Sequence, residues 1–281
     1  MPRLRLVGLI VGIVCLLPAL VWAQGGAGVS GPKILLQKDV PITITKPGSY
    51  QLGSNLKVTD PYVDAISIDS DNVTIDLAGF TIEGPLVGAT GNGSGIDTRG
   101  GKNYNHNNLV VRNGAVRGFY EHPAACVNLQ GRSNRVEDLR IDHCPGLAAY
   151  VGDSGVVTRC HISESGAGVD LGPSSTAVDN SFFNIRGHGI GSYEPDGCVT
   201  IKGNTFRGSS SNAAVIAPTP GNRIEGNVIT GCYFGLDLTG GASFFAGNLF
   251  YGNDIPVEGG GGNNVDGGGN VFIPGLPPPS P

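Results

Sequence analysis

Three hexapeptides decide the fold: Ile201-Lys202-Gly203-Asn204-Thr205-Phe206, Ile224-Glu225-Gly226-Asn227-Val228-Ile229 and Phe245-Ala246-Gly247-Asn248-Leu249-Phe250. Each places Gly-Asn between two large apolar residues that stand five positions apart. The leading apolar residue recurs upstream at Val136, Val157 and Val178, so the series runs with spacings of 21, 21, 23, 23 and 21. Its partners five residues on are Ile141, Ile162, Phe183, Phe206, Ile229 and Phe250, and a third apolar station follows at Ala148, Val169, Ile190, Val215, Leu236 and Val257. Three short apolar stations per coil, separated by turns, predict an all-β, single-stranded parallel β-helix with three strands in each coil of 21–23 residues. Glycine supplies the left-handed backbone such a turn requires. An inward asparagine can bond the asparagines above and below it and satisfy turn backbone. Asn204, Asn227 and Asn248 therefore predict an asparagine ladder, with Asn113 expected at the comparable turn of an earlier coil.

Working outward, Asp71–Gly84 (DNVTIDLAGFTIEG) alternates polar and apolar residues as a strand does. The polar stretch Gly88–Asn108 reads as an exposed insertion. Lys33–Leu56 is expected to cap the first coil. Residues 258–281 carry Gly259–Gly262, Gly267–Gly269 and Pro277–Pro279 and are expected to form a flexible tail. Leucine-rich, calcium-binding nonapeptide and hexapeptide repeats are all absent. So is any 3.6-residue periodicity. Glycine is abundant, 47 of 281 residues, but without a Gly-X-Y period, which excludes collagen.

The first 23 residues have the form of a secretory signal: Arg3 and Arg5, an apolar run over Leu6–Leu20, then Val21-Trp22-Ala23 before a cut at Gln24. A secreted, periplasmic or cell-surface location follows, with a β-helix over 24–257. Loss of Arg3 and Arg5 leaves 16 basic against 23 acidic residues, a charge of −7. That balance offers no footprint for nucleic acid and none for a membrane after cleavage. Five cysteines remain, Cys126, Cys144, Cys160, Cys198 and Cys232. Cys144 and Cys232 share a coil position four rungs apart, roughly 19 Å at ~4.8 Å per rung, so no stacked disulfide ladder and no metal site is expected. Cys160 falls at an inward ladder position as a small apolar filler.

The (V/I)xGNx(I/F) elements and the opening ITITKPGSYQL…DNVTIDLAGFTI resemble right-handed parallel β-helix proteins of the pectate-lyase-like superfamily over residues 42–257. The resemblance implies an extracellular polysaccharide as partner. It also implies that the third station lies on the sheet whose solvent face forms the substrate groove. The outward residues there would be Asn128, Ala149, Asp170, Gly191, Ile216 and Asp237. Asp170 and Asp237 are the carboxylates at the strand centres, three rungs or about 14 Å apart, beyond the ~6.5–9.5 Å of an inverting acid/base pair. Gly187-His188-Gly189 resembles the GHG element of polygalacturonase-type glycoside hydrolases. That family's adjacent aspartates are replaced here by Gly166-Ala167-Gly168, and its Arg-Ile-Lys element is missing. The same glycines also suit a turn into the strand.

The candidate catalytic residues are thus Asp170, His188 and Asp237. The candidate substrate contacts are Asn128, Tyr150, Tyr193, Glu194 and Asp196. Calcium enters only if the chemistry is uronate elimination, and no other cofactor is called for. Asp60, Asp64, Asp69, Asp71 and Asp76 read as solvated strand and turn positions, and Arg140 and His161 as equivalent outward residues on another sheet. Three function classes stay open: a polysaccharide lyase or hydrolase, a non-catalytic carbohydrate-binding protein, and an adhesin-like or structural protein.

Overall fold

The computed structural model describes residues 31–85, 91–98, 105–119, 125–208, 212–259 and 262–275. The signal-peptide reading of residues 1–23 lies outside them. The described residues form a parallel β-helix with two hydrogen-bonded sheets, one of 10 strands and one of 19. The 10-stranded sheet takes one strand from each coil, from Ile42–Ile44 to Ile255–Glu258. The other sheet takes the two stations on either side of the asparagine turn, as in Thr200–Lys202 and Thr205–Arg207. Every pairing is parallel and joins a coil to the next one along the stack. The only helix among the described residues is a 3₁₀ turn over Gln37–Asp39, and none is long and apolar enough to cross a membrane.

The core is a narrow column of inward side chains. Ile162, Phe182, Phe206, Ile229 and Phe250 are all buried and stand in register. Phe182 stacks on Phe206 with ring centroids 4.7 Å apart and planes within 8°. Phe182 and Ala177, not Phe183 and Val178, fill these stations. Phe183 is exposed. The spacings at 157–177–201 are thus 20 and 24 in place of the expected 21 and 23, and the longer coil carries the Tyr193–Gly197 turn. A slip of one residue reverses every side chain of a strand, so equally apolar neighbours such as Phe182 and Phe183 mislead a spacing argument.

The ladder is longer than the expected three rungs. Asn180, Asn204, Asn227, Asn248 and Asn270 are linked Nδ2 to Oδ1 at 3.0–3.1 Å. Each Oδ1 also accepts the backbone N–H of the asparagine below it, and Asn180 accepts that of Cys160. Cys160 fills the rung beneath Asn180, and burial pushes its thiol up to about 12. Asn113 is not a rung. It holds the left-handed position one residue earlier (φ 60°), as Asp138, Arg159, Asp179 and Gly203 do in later coils, and its amide donates to Asp76. Asparagine suits either place, so its occurrence in a turn did not discriminate.

Four further expectations change. Lys33–Leu35 pairs with Gly48–Leu52, and Ile42–Ile44 begins the 10-stranded sheet, so the expected cap is itself the first coil. The insertion Gly88–Asn108 contains a strand, Ile96–Asp97, buried and paired on both sides. Strands Val265–Asp266 and Val271–Ile273 carry a partial coil beyond residue 257. Finally, Cys126 and Cys144, on neighbouring coils, form a disulfide, Cα–Cα 6.2 Å, where no stacked disulfide was expected. Cys126 is on the strand Ala125–Arg132 and Cys144 in the turn before the strand of the next coil, an oblique approach that counting rungs at one coil position overlooks. The bond closes 18 residues of sequence, which in chain-entropy terms amounts to about 3 kcal/mol. Reduction is expected to lower the thermal midpoint of the purified protein by several degrees, measured by differential scanning calorimetry with and without reductant.

Candidate functional site

The solvent face of the 10-stranded sheet presents one outward residue per coil. In register these are Thr43, Ser67, Asp97, Asn128, Tyr150, Asp170, Gly191, Ile216, Asp237 and Glu258. Tyr150 stands where Ala149 was expected: Ala149 pairs with Val169 and is buried. The cause is again an apolar pair, Ala148 and Ala149, in which either residue could be the inward one.

Around Asp170 three side chains form a hydrogen-bonded chain. His188 Nε2 lies 2.7 Å from Asp170 Oδ1, and the Tyr193 hydroxyl lies 3.1 Å from His188 Nδ1. With neutral imidazole the network fixes one tautomer: Nε2–H donates to the carboxylate and Nδ1 accepts the phenolic hydrogen. The Tyr193 ring meets His188 edge-on, centroids 5.5 Å apart. The His188 side chain is only 13% exposed, against 27% for Asp170. Burial, and then the charges of Asp170 and Asp237, push the Tyr193 phenol up to about 12, so it keeps its proton through the neutral range.

The local sequence explains the chain. Gly189 stands beneath Phe206, whose ring atoms and the Ala214 carbonyl would lie 2.7 Å from any Cβ there. Gly187-His188-Gly189 is thus partly a packing motif, with the imidazole on the outer side. Gly191 occupies the outward column beside Asp170. A Cβ on it would fall 2.5 Å from Tyr193 Cε2, 2.6 Å from Asp170 Oδ1 and 2.9 Å from His188 Nε2. Glycine at this rung leaves the space in which the three side chains meet. The Tyr193–Gly197 turn (YEPDG) then returns Tyr193 over the strand, closed by Gly197 N–H donating to the Glu194 carbonyl.

The other expected site residues are dispersed. Asp237 is three rungs from Asp170 and accepts from the Thr239 backbone N–H and hydroxyl at 3.1 and 2.6 Å. Asn128 is buried and donates to Asp97 at 3.1 Å. Tyr150 is half-buried and lines an open cleft of 490 Å³ with Asn105, Asn107, Gln130, Arg132 and Asp153. Burial, followed by the charges of Glu194, Asp153 and Asp170, raises its phenol above the usual value. Glu194 and Asp196 are exposed in the turn beyond Tyr193.

Asp97 was missed, although its setting Gly95-Ile96-Asp97 repeats Gly168-Val169-Asp170 and Gly235-Leu236-Asp237. That shared Gly-apolar-Asp pattern was the available signal. Asp97 is buried and accepts from Asn128 and from the Ser94 hydroxyl. Among the described residues no three His, Cys, Asp or Glu side chains converge to hold a metal ion. His106 comes nearest, each ring nitrogen 3.4 Å from one carboxylate, Asp69 or Asp71.

Comparison with known proteins adds two positive findings. A mannuronic acid-specific polysaccharide family 6 lyase from human gut microbiota superposes with a TM-score of 0.46 at 14% identity, covering 87% of this chain and 82% of that one. No curated protein sequence matches the chain. Residues 65–270, the body of the coil stack, match the family model described as periplasmic copper-binding protein (NosD), and the chain therefore belongs to the NosD family of β-helix proteins.

Proposed function

We propose that this is a periplasmic polysaccharide-binding protein whose glycan lies along the 10-stranded sheet, centred on Tyr193, His188 and Asp170. The hydrogen-bonded Tyr–His–Asp chain carries the reading. It sits on the outer face of a stacked sheet whose flat column suits an extended polymer, with a second tyrosine one rung away at Tyr150. Asp170 holds the imidazole orientation, His188 holds the phenolic hydrogen, and Tyr193 presents its exposed ring and oxygen to the ligand. Tyrosine rings offer an apolar face for sugar stacking and a polar tip for hydroxyls.

A second reading, in which the protein also cleaves the glycan, is favoured by the same chain. Tyr193 keeps its proton and is oriented by His188 and Asp170, so its phenol can act as a general acid toward the leaving glycosidic oxygen. Asp170 and Asp237 are too far apart to act together as an inverting pair. Incubation with a panel of uronate, neutral and amino-sugar polymers, followed by affinity electrophoresis and mass spectrometry, separates the readings. Retardation without fragments establishes binding alone. Fragments made by the wild type and not by His188→Ala establish catalysis. Neither retardation nor fragments from any polymer refutes both.

The copper of the family description does not fit the donors on this chain. Its one methionine is Met1. Cys126 and Cys144 are joined, Cys160 and Cys232 are buried in the core, and the exposed Cys198 belongs to no group of three His, Cys, Asp or Glu side chains among the described residues. The described histidines share no site, with His106 between Asp69 and Asp71, His143 and His188 each against one carboxylate, and His161 beside Ser181. Soft thioether and thiolate clusters of the kind that select copper are absent among the described residues. Equilibrium dialysis of the mature protein against Cu(I) and Cu(II) is expected to retain well under one equivalent.

A further inference from the structure

The two sheets divide the charged residues unequally. On the 19-stranded sheet the arginines are numerous and mostly paired: Arg112 with Asp76, Arg140 with Asp142, Arg159 with Asp138, and Arg223 with Glu225. The outward column of the 10-stranded sheet contains no Lys or Arg in ten rungs, and four carboxylates, Asp97, Asp170, Asp237 and Glu258. Asp97 is buried and contributes field alone, whereas the others are partly exposed. The turn beside the relay adds Glu194 and Asp196, both exposed. At the margin are Arg186, in the turn before the relay strand, and Arg132, at a strand end and paired with Asp153 at 3.3 Å.

A polyuronate laid on this face would bring a carboxylate to each sugar opposite a line of like charge. The described residues offer neither an arginine on the column nor a metal site to neutralise it. An ammonium-bearing sugar meets the opposite situation. Asp170, Asp237 and Glu258 can each accept a charge-assisted hydrogen bond, and the field of the face favours approach of a polycation. The carboxylates are spread along the groove axis rather than gathered at one point, which matches a charge repeated along a polymer and not a single ion.

We infer that the ligand of the proposed groove is a polysaccharide bearing free amines, a glucosamine-type polymer, rather than a polyuronate. The inference rests on the reading of the 10-stranded sheet as a glycan-binding face.

The test is isothermal titration calorimetry of the mature protein with four probes: a glucosamine hexamer, its fully N-acetylated form, a galacturonate hexamer, and a lysine hexamer as a cation without sugar rings. The titrations are run at about pH 6, below the usual range of a free amine, so that the sugar amine carries its proton. The glucosamine hexamer is expected to bind at least tenfold more tightly than the acetylated and uronate hexamers. Asp237→Asn, which removes one charge three rungs from Asp170 and is followed alongside by thermal melts, is expected to narrow that gap severalfold, as is ionic strength of about 0.5 M. Equal or tighter binding of the galacturonate or acetylated hexamer overturns the amine assignment while leaving the groove a glycan site. Lysine hexamer binding as well as the glucosamine hexamer overturns it as unspecific attraction. Failure of every sugar hexamer to bind overturns the groove reading itself.

Discussion

Asn227→Ala is expected to destabilise the coil stack by about 3–5 kcal/mol, measured by urea denaturation followed by circular dichroism. Asn227 Oδ1 accepts from the backbone N–H and side-chain amide of Asn204 at 2.9 and 3.1 Å. Its own amide donates to the Ile201 carbonyl and to Asn248 Oδ1, both at 3.0 Å. All three asparagines are fully buried. Truncation therefore strands two donors and deprives two acceptors where water cannot substitute, and each such group costs about 1–3 kcal/mol. It also leaves a cavity. Asn270, the half-buried last rung, accepts the same two bonds from Asn248 next to solvent, while its amide donates to Asp266 and the Phe245 carbonyl, so Asn270→Ala is expected to cost about 1 kcal/mol. Equal costs at the two positions would mean that the ladder contributes by turn propensity alone. A gradient from the middle to the end is the signature of a desolvated, mutually supporting network.

The second large effect is expected from one methyl group. Gly191→Ala puts a Cβ within 2.9 Å of atoms of Tyr193, Asp170 and His188 simultaneously. All three atoms are at the far ends of side chains, so the strand itself has no reason to move. Stability is expected to change by about 1 kcal/mol or less, while the relay opens and glycan affinity falls by about tenfold to a hundredfold, the scale of a lost charge-assisted hydrogen bond. Titration calorimetry with whichever polymer binds the wild type, alongside thermal melts, separates the two quantities. Unchanged affinity in Gly191→Ala would show that the Tyr–His–Asp arrangement is incidental to binding.

The coil architecture was readable because it is written in residues with few structural alternatives. Gly-Asn at a fixed place between apolar pairs demands a left-handed turn and an inward amide, and repetition at 21–23 residues leaves stacking as the way to bury both. The outward column was mostly readable too, since inward stations fix outward ones by the strand's period of two. The misplaced inward stations have one origin. Where two neighbours are equally apolar, as in Ala148-Ala149, Ala177-Val178 and Phe182-Phe183, the inward one is chosen by turn length and by the rung below, neither of which a local pattern contains. The relay was half legible. His188 and Asp170 stood out as chemistry-bearing residues near one sheet, yet they are 18 positions apart, and only the register of adjacent coils brings them to 2.7 Å. The contribution of Gly191 was invisible, because a glycine kept for the space above it looks like any other in a chain with 47. The Cys126–Cys144 bond was missed because comparing equal coil positions cannot reveal a strand meeting the turn of the next coil.

Everything proposed for the 10-stranded sheet depends on polysaccharide binding through Tyr193, His188 and Asp170. Affinity electrophoresis of the wild type and His188→Ala through gels containing uronate, neutral or amino-sugar polymer tests it most directly. At least one polymer is expected to retard the wild type, with retardation lost in His188→Ala and both proteins melting at the same temperature. Free migration of the wild type through every polymer, or equal retardation of the variant, would contradict it.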